Sequence, residues 1–332
     1  IAANELLVNR ARCYSNFFPD SKMIQGDIKD DDVKSRLKEY IKDDVDLLMA
    51  TPPCQGLSSL GKNKKQDHFL NDQRNYLIFH IFELIDHGNF KYILIENVPI
   101  FLKMLFPYND DFFNLEYILK DKYSKRYKIE IDILNVEDYG VPQSRPRAII
   151  RMIRKGLKWE LPSKVNPVVL KDSIGHLPSL EPGEKSNIDL HKAKKINERY
   201  ELALKHTPTG KSAINNTIYY PKKADNSRIK GFHNTFKRMN WEDTCPARTT
   251  YCSNVNSHNN VHPGRKNSDG TYSDARPLTL LETYVVSSIP LTTRFPGWCS
   301  DTFIYTMIGE GVPPLFMSKL LSGITSKNDT QS

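Results

Sequence analysis

Short apolar runs alternate with amphipathic stretches over the first 150 residues, and this pattern limits the fold more than any other property of the chain. The apolar runs have the length of strands, and the stretches between them carry apolar residues at near-helical spacing. Such alternation predicts β-α units around a doubly wound, mostly parallel sheet, an α/β fold that binds ligands beyond the carboxyl ends of its strands. The predicted strands are Lys22–Ile24, Val45–Ala50, Tyr92–Glu96, Tyr127–Leu134 and Arg147–Ile153, and the predicted helices are Asp31–Lys42 and Asn75–His87.

The texture of the sequence changes after about Leu157, where Pro, Lys, Asn and Ser occur in short blocks with weak periodicity. We therefore predict a first domain of residues 1–158 and 300–332 and a second, smaller domain of residues 159–299. Inside the second domain, His191–Leu204 is predicted to be a helix, and Arg248–Asn254 and the turn-rich Asn256–Ser273 are predicted to contain short strands and loops. A last helix is predicted at Leu315–Leu321, with proline near its first turn.

The charge of the chain indicates a polyanionic partner, with nucleic acid as the first expectation. The 332 residues contain 47 Lys and Arg against 39 Asp and Glu, a net charge of +8, and charge of this sign favours association with polyanions. The apolar runs are far shorter than the roughly 20 residues that a membrane-spanning helix needs.

Cysteine and histidine usage predicts neither disulfides nor a metal site. The five cysteines include no C-x-x-C pair, which indicates a reducing compartment such as the cytoplasm. His258 and His262 are spaced i, i+4 in an Asn-rich stretch with no third ligand, so we expect no zinc.

Three polar motifs follow predicted strands, where an α/β sheet places its chemistry. Cys54 stands on a turn stiffened by two prolines, and taken alone this pattern is more typical of a structural thiol than of a nucleophile. Glu96 and Asn97 directly follow the apolar run Tyr92–Ile95. The alternative interpretation of this pattern is a helix cap or a surface acid. Gln143 begins a segment in which Arg145 and Arg147 alternate, as they also would on a solvated strand edge.

Taken together and in order, these motifs resemble the DNA cytosine-5 methyltransferase family. The resemblance covers nearly the whole chain. Its motifs are Ala2-Ala3-Asn4-Glu5, Gly26-Asp27-Ile28, Pro53-Cys54-Gln55, Asp72-Gln73-Arg74-Asn75, Glu96-Asn97-Val98, Asp138-Tyr139-Gly140-Val141-Pro142 with Gln143-x-Arg145-x-Arg147, Arg276-Pro277-Leu278-Thr279, and Gly309-x-x-Val312-Pro313-Pro314. The resemblance implies transfer of a methyl group to carbon 5 of cytosine.

The resemblance implies a role for each catalytic residue. Cys54 is expected to add to carbon 6 of the ring, because cytosine carbon 5 is too weak a nucleophile without that bond. Glu96 is expected to hold a proton at N3 and to read the exocyclic amine. Arg147 is expected at the ring O2, and Arg145 is expected to position the nucleophile and nearby backbone.

The methyl donor implied by the resemblance is S-adenosylmethionine. Glu5 is expected to bind the ribose hydroxyls, Leu6 and Ile28 to cover the adenine, and Asp27 to accept from its amino group. The other residues expected at the donor are Pro52, Leu77, Glu310 and Gly311.

The nucleic acid implied by the resemblance is double-stranded DNA with the target cytosine flipped out of the helix. The basic segment Ser58–Gln73 is expected to close over the DNA, and the second domain is expected to recognise the sequence. The residues expected to touch DNA are Gln55, Ser58, Lys62, Asn97, Gln143, Arg248 and Asn254.

Two departures from the family leave alternatives open. The family's first motif, an aromatic-x-Gly-x-Gly turn, is expected a strand and a helix before Glu5, outside the present sequence, and Leu281 stands where relatives usually have Arg. The sequence fits a piece of a restriction-modification enzyme of the cytoplasm, associated with the nucleoid and a cognate endonuclease. It also fits a split methylase whose second chain supplies the first motif, a DNA-binding homologue without activity, or a transfer-RNA cytosine methyltransferase.

Overall fold

The computed structural model describes residues 1–42, 45–53 and 72–324, and the chain divides into two compact units. Unit 1 comprises Ile1–Leu134, Pro146–Glu160 and Ile324–Ser332, and unit 2 comprises Asn135–Arg145 and Leu161–Gly323. Unit 2 thus includes Asn135–Arg145 and most of the last part of the chain, both of which the sequence analysis assigned to the first domain. The division into catalytic and recognition domains stays a prediction.

The elements follow one another in an order typical of an α/β protein. The strands are β1 (Ala2–Glu5), β2 (Lys22–Gln25), β3 (Leu47–Ala50), β4 (Tyr92–Asn97), β5 (Leu105–Tyr108), β6 (Asp111–Asn114), β7 (Tyr127–Asn135), β8 (Gln143–Ser144), β9 (Pro146–Arg154) and β10 (Cys245–Pro246). The helices are α1 (Val8–Phe17), α2 (Asp31–Lys38), α3 (Ile78–His87), α4 (Leu115–Tyr123), α5 (Leu170–Ile174), α6 (Glu198–Lys205), α7 (Leu280–Val286), α8 (Asp301–Glu310) and α9 (Pro314–Leu321). Short 3-10 helices occur at Gln73–Tyr76, Pro99–Lys103, Val136–Tyr139 and Ala213–Asn215.

Unit 1 contains a four-stranded sheet in the order β3-β4-β9-β7. β3 runs parallel to β4, and β9 runs antiparallel to β4. The middle residues of β4, Ile93, Leu94 and Ile95, are fully buried, which explains why this strand is a continuous apolar run. The helices α3 and α4 contribute to the same core, which includes Ile85 and Leu119. Glu96 and Asn97, which follow this apolar run, therefore have fixed positions at the end of a rigid central strand.

A parallel pair, β1 and β2, forms the second sheet of unit 1, with Glu5 opposite Gln25. Helix α2 begins with the acidic residues Asp31 and Asp32 and ends with basic ones, an arrangement that complements the helix dipole. Its apolar face packs with β2 and with Leu84 of α3. α2 ends at Lys38, four residues earlier than the sequence predicts.

Unit 2 has little regular structure within its described residues. Strands β8 and β10 form a short parallel pair, and short helices and turns enclose several small apolar cores. The predicted helix His191–Leu204 was wrong in its first half, since α6 begins only at Glu198. There the backbone pairs locally instead, with the Ser186 N–H donating to the His191 carbonyl and the Ala193 N–H to the Glu184 carbonyl. The predicted strands in Arg248–Asn254 were also wrong, because this segment forms turns.

None of the helices in the described parts of the chain combines the length and the hydropathy that a bilayer crossing requires.

Candidate active site

The carboxyl ends of β3 and β4 meet at one edge of the unit 1 sheet. Ala50, the last residue of β3, pairs with Ile95 of β4, so Thr51–Pro53 leave the sheet beside Glu96 and Asn97. Glu96 is nevertheless nearly buried. A buried carboxyl group at a strand end needs a partner, since its desolvation is costly.

The partner of Glu96 is Arg147. The Arg147 Nε lies 2.8 Å from Glu96 Oε1, and the two side chains are 13% and 9% exposed. The strand register explains the contact, because Arg147 precedes Ala148, which pairs with Asn97 in the antiparallel ladder of β4 and β9. The guanidinium fixes the position of the carboxyl group, and a charged pair of this kind is stronger than a neutral hydrogen bond. Two residues predicted for cytosine binding are thus in direct contact.

Asn97 connects β4 to the segment that leads to the predicted nucleophile. Its Nδ2 donates to the Pro52 carbonyl at 3.2 Å, and its Oδ1 accepts from the Val98 N–H at 2.8 Å. Asn97 is buried, so both contacts are shielded from water. The amide therefore fixes the backbone two residues before Cys54. Cys54, Gln55, Ser58 and Lys62 lie outside the described residues.

The predicted donor residues of unit 1 gather at the ends of β1 and β2. Glu5 Oε1 accepts from the Leu7 N–H at 2.8 Å, and the Leu6 side chain is 53% exposed. Asp27 Oδ1 accepts from the Lys29 N–H at 3.0 Å, and its Oδ2 lies 3.3 Å from Lys29 Nζ. Ile28 packs partly against the core of β2 and α2.

These side chains fit the adenosine half of S-adenosylmethionine. Ribose hydroxyls need acceptors such as the Glu5 carboxylate, and an adenine ring needs apolar cover such as exposed Leu6 offers. Pro52 and Leu77 are also in unit 1, both partly buried. Glu310, which is partly buried, and Gly311, which is exposed, belong to unit 2 at the end of α8.

Arg145 and Gln143 act inside unit 2 as connectors between separate segments. Arg145 is buried and donates to the Arg248 carbonyl at 2.7 Å and to the Gly309 carbonyl at 2.9 Å. The Gln143 amide donates to the Val286 carbonyl at 3.2 Å and accepts from the Arg248 N–H at 3.3 Å. The positioning of the nucleophile by Arg145 stays a prediction, because Cys54 lies outside the described residues. The strand argument that paired it with Arg147 does not apply, because Arg145 precedes β9.

The same junction explains why a glycine stands at position 309. A Cβ built on Gly309 would lie 2.3 Å from the carbonyl carbon and oxygen of Thr249, so only glycine lets α8 approach that backbone. We expect Gly309→Ala to lower the free energy of unfolding by about 1–3 kcal/mol through overpacking. Gly297→Ala is the control, since nothing lies within 4 Å of its Cβ position. Equal thermal unfolding midpoints for the two variants would contradict the crowding at Gly309.

Two of the residues predicted to contact DNA form hydrogen bonds inside unit 2. Arg248 is 1% exposed, and its guanidinium donates to the carbonyls of Pro246 and Asn259 at 3.0 Å each. Gln143 is equally buried. Both side chains therefore have internal partners that favour a positioning role over a direct contact with bases. Asn254 is partly exposed, and its Oδ1 accepts from Lys194 Nζ at 3.0 Å.

His262 is a buried internal residue. Its Nδ1 accepts from the Gly264 N–H at 3.1 Å, and burial lowers the pKa of His262 to about 4, so the ring is neutral near pH 7. Across residues 1–42, 45–53 and 72–324, the structure places no group of three His, Cys, Asp or Glu side chains around a common metal position.

The fold is that of a methyltransferase. The solved structure of the Entamoeba histolytica methyltransferase EhMeth superimposes on this chain with a TM-score of 0.63 at 16% sequence identity, over all of this chain and 90% of that one. At this identity the likeness concerns the fold alone. The chain therefore has the α/β fold of that methyltransferase.

Sequence comparison identifies the family. The model of the family described as C-5 cytosine-specific DNA methylase matches residues 1–326. The chain is 41% identical over 329 residues to Type II methyltransferase M1.HgaI of Avibacterium volantium, covering 99% of this chain and 92% of that protein. It is 27% identical to Type II methyltransferase M.Bpa9945I of Bacillus paralicheniformis, covering 85% and 69%. The chain belongs to the C-5 cytosine-specific DNA methylase family, the DNA cytosine-5 methyltransferases.

Sequence reasoning missed the features that depend on tertiary contacts. The hydrogen bond from Asn97 to Pro52 joins residues 45 positions apart, and no local sequence pattern predicts it. The crowding of Gly309 against Thr249 is equally non-local. A group of lysines in unit 2 was missed although its signal, a local excess of basic residues, is present in the sequence.

Proposed function

We propose that this chain transfers a methyl group from S-adenosylmethionine to carbon 5 of a flipped-out cytosine in a specific duplex DNA sequence, through a covalent bond to Cys54. The observation that carries the proposal is the nearly buried pair of Glu96 and Arg147, beside Asn97 with its bond to the Pro52 backbone. A carboxyl group and a guanidinium that face each other at a strand end match the polar edge of cytosine in hydrogen-bonding capacity.

The reaction begins at carbon 6 of the ring. The Cys54 thiolate forms a bond to carbon 6, and the electron pair of the 5,6 double bond moves toward N3, where Glu96 is proposed to share a proton with the ring nitrogen. Carbon 5 then becomes nucleophilic and bonds to the methyl group, while the bond from that methyl group to the donor sulfur breaks and leaves its electron pair on the sulfur. Loss of the proton from carbon 5 to a base restores the double bond as the bond between sulfur and carbon 6 breaks.

The residues of the site have distinct roles in this reaction. Arg147 holds the Glu96 carboxyl group in place and is proposed to contact the ring O2, while Asn97 positions the segment that carries Cys54. When bound, S-adenosylmethionine supplies an electrophilic methyl group. Glu5 and Leu6, with Asp27 and Ile28, are proposed to bind its adenosine half.

The names of the two relatives support a biological setting. Both are Type II methyltransferases, which supports methylation of a fixed DNA sequence that a cognate restriction endonuclease would otherwise cut. Duplex DNA is therefore the proposed substrate, and an endonuclease is the proposed functional partner.

Trapping of the covalent bond tests the proposal. The chain is mixed with S-adenosylmethionine and duplex DNA that carries 5-fluorocytosine, because fluorine at carbon 5 prevents the final loss of a proton. We expect a denaturation-resistant adduct whose peptide map places the DNA on Cys54, and no adduct with Cys54→Ser. Burial raises the pKa of Cys245 to about 11, so this second thiol stays protonated and cannot substitute.

The control is Cys299→Ser, which removes a partly exposed thiol and should leave the adduct intact. An adduct on another residue, or DNA binding without any adduct, would contradict the proposed mechanism. Bisulfite sequencing of duplex DNA and transfer RNA after reaction with S-adenosylmethionine identifies the nucleic acid that is methylated. Methylation of transfer RNA alone would overturn the DNA substrate.

A further inference from the structure

One short part of unit 2 carries a local excess of positive charge. Residues 211–237 contain six Lys and Arg against one Asp, a net charge of +5, whereas the whole chain carries +8. The five lysines are Lys211, Lys222, Lys223, Lys230 and Lys237, and we call them the basic surface. More than half of the net charge therefore lies in about a twelfth of the sequence.

A tight hairpin presents the middle of this surface. Lys222 and Arg228 form an antiparallel bridge, and the Lys223 N–H donates to the Ser227 carbonyl at 2.8 Å. Asn226 adopts a left-handed conformation with φ 62°, which suits the turn between the two arms. The Ser227 N–H and hydroxyl both donate to Asp225 Oδ1, at 2.9 and 2.6 Å. This acid is therefore engaged within the turn.

The hairpin is fixed to the body of unit 2. Arg228 donates to the carbonyls of Ile214 and Asn216, at 2.5 and 2.9 Å, and its guanidinium lies 4.4 Å from the centre of the Tyr220 ring. The Asn216 amide donates to the carbonyls of Tyr219 and Ala203, at 2.7 and 3.1 Å. Arg228 is thus used in anchoring, and the neighbouring lysines project from a held framework.

The five lysines of the basic surface form no ion pair within 4 Å among the described residues. Some lysines elsewhere do form such pairs: Lys164 lies 2.8 Å from Asp138, and Lys120 lies 2.5 Å from Glu116. Lys222 and Lys223 are adjacent in the chain, and neighbouring like charges without counter-charges repel one another. A polyanion that binds there relieves this repulsion and releases its own counterions.

Apolar groups and a cavity complete the surface. Ile218 and Phe232, on either side of the hairpin, are 73% and 74% exposed. Lys211 and Lys237 line a cavity of about 380 Å³ together with Arg238, Asn240 and one acidic residue, Asp243. Lysines beside exposed apolar groups and an amide suit a nucleic acid, which offers phosphates, sugars and base edges side by side.

We propose that the basic surface binds the sugar-phosphate backbone of duplex DNA and so sets the position of the duplex on unit 2. The inference rests on the proposed function, because that function makes duplex DNA the polyanion this chain meets. Phosphate contacts fix register without reading sequence. The lysines therefore govern affinity for DNA in general, and the chemistry at cytosine is left to the site in unit 1.

The test compares two variants that lose the same number of charges. One carries Lys222→Gln, Lys223→Gln and Lys230→Gln. The control carries Lys125→Gln, Lys155→Gln and Lys158→Gln, which removes three exposed lysines of unit 1. Dissociation constants for a duplex are measured from 50 to 200 mM salt by fluorescence anisotropy, together with kcat at saturating DNA.

We expect the hairpin variant to bind DNA about 10- to 100-fold more weakly at 100 mM salt, with a salt slope less negative by about 2 to 3. Its kcat at saturating DNA should stay within about twofold, since these lysines take no part in the chemistry. Phe232→Ala should weaken binding with no change of the salt slope, because an apolar contact releases no counterions.

Several outcomes would overturn the inference. If the hairpin variant binds DNA as tightly as the wild type, the basic surface serves another partner, such as an acidic protein. If the hairpin variant and the control lose the same affinity relative to the wild type, only the net charge matters. Wild-type chain that binds DNA without methylating it contradicts the proposed function alone, because the comparison of dissociation constants still decides the role of the lysines.

Discussion

Replacing Glu96 by Gln is expected to lower kcat for cytosine methylation by about 10²- to 10⁴-fold, the range that a positioned acid or base contributes. Glutamine keeps the shape of the side chain and can still donate a hydrogen bond toward N3. It cannot take up or release a proton as the charge on the ring changes, and it loses the charged contact with Arg147. Because the amide retains binding contacts, KM for DNA should change much less than kcat.

Glu130→Gln is the matched control for this substitution. Glu130 belongs to β7 of the same sheet, and its carboxylate pairs with Arg151 of β9 at 2.6 Å, so the variant removes the same kind of ion pair. We expect its kcat to stay within about twofold, as for a partly exposed pair without a catalytic task. Single-turnover methyl transfer at saturating DNA measures both variants, and thermal denaturation shows that they are folded. Equal rates for Glu96→Gln and wild type would remove Glu96 from the chemistry.

The central part of unit 1 was predictable because its signals are local. The run Tyr92–Ile95 is apolar throughout, which places β4 inside the sheet and Glu96 at its end. The structure also confirms the predicted strands β2, β7 and β9, whose observed bounds differ from the predicted ones by one or two residues. The contact of Glu96 with Arg147 could not be read from the sequence, since it depends on the register between two strands.

Unit 2 was harder to predict because long-range contacts decide its structure. The chemistry of Arg248 suits base recognition, but its hydrogen bonds to the Pro246 and Asn259 carbonyls depend on the tertiary structure. The turn-rich sequence of Ser186–Asn197 contains helix-forming residues, and the paired backbone there overrides their propensity. Burial of polar side chains is what distinguishes a connector from a contact residue, and a single sequence does not show burial.

A buried group of charges holds unit 2 together around Arg276. Its guanidinium donates to both Glu282 oxygens, at 2.8 and 3.0 Å, to Asp274 Oδ1 at 2.7 Å and to the Leu180 carbonyl at 2.8 Å. All three charged side chains are buried. Glu282 also forms the capping box of α7 with Thr279. Burial opposes ionisation of Glu282, but the Arg276 guanidinium outweighs it and keeps the pKa of Glu282 well below its ordinary value.

Arg276→Met is expected to lower the free energy of unfolding by about 3–5 kcal/mol, because two buried carboxylates lose the cation that balances them. Methionine fills much of the space, so the loss reports on charge more than on packing. Arg294→Met is the matched control, since Arg294 pairs with Asp189 at 3.3 Å where both side chains are exposed. An exposed pair of this kind should contribute about 1 kcal/mol or less.

Urea denaturation followed by circular dichroism measures both variants. A further variant with Arg276→Met and Glu282→Gln should recover part of the stability, because the amide leaves one buried charge fewer and can still serve the capping box of α7. If Arg276→Met costs no more than Arg294→Met, the buried charges do not stabilise unit 2. If the added Glu282→Gln causes a further loss, the role of Glu282 in capping exceeds its cost as an unpaired buried charge.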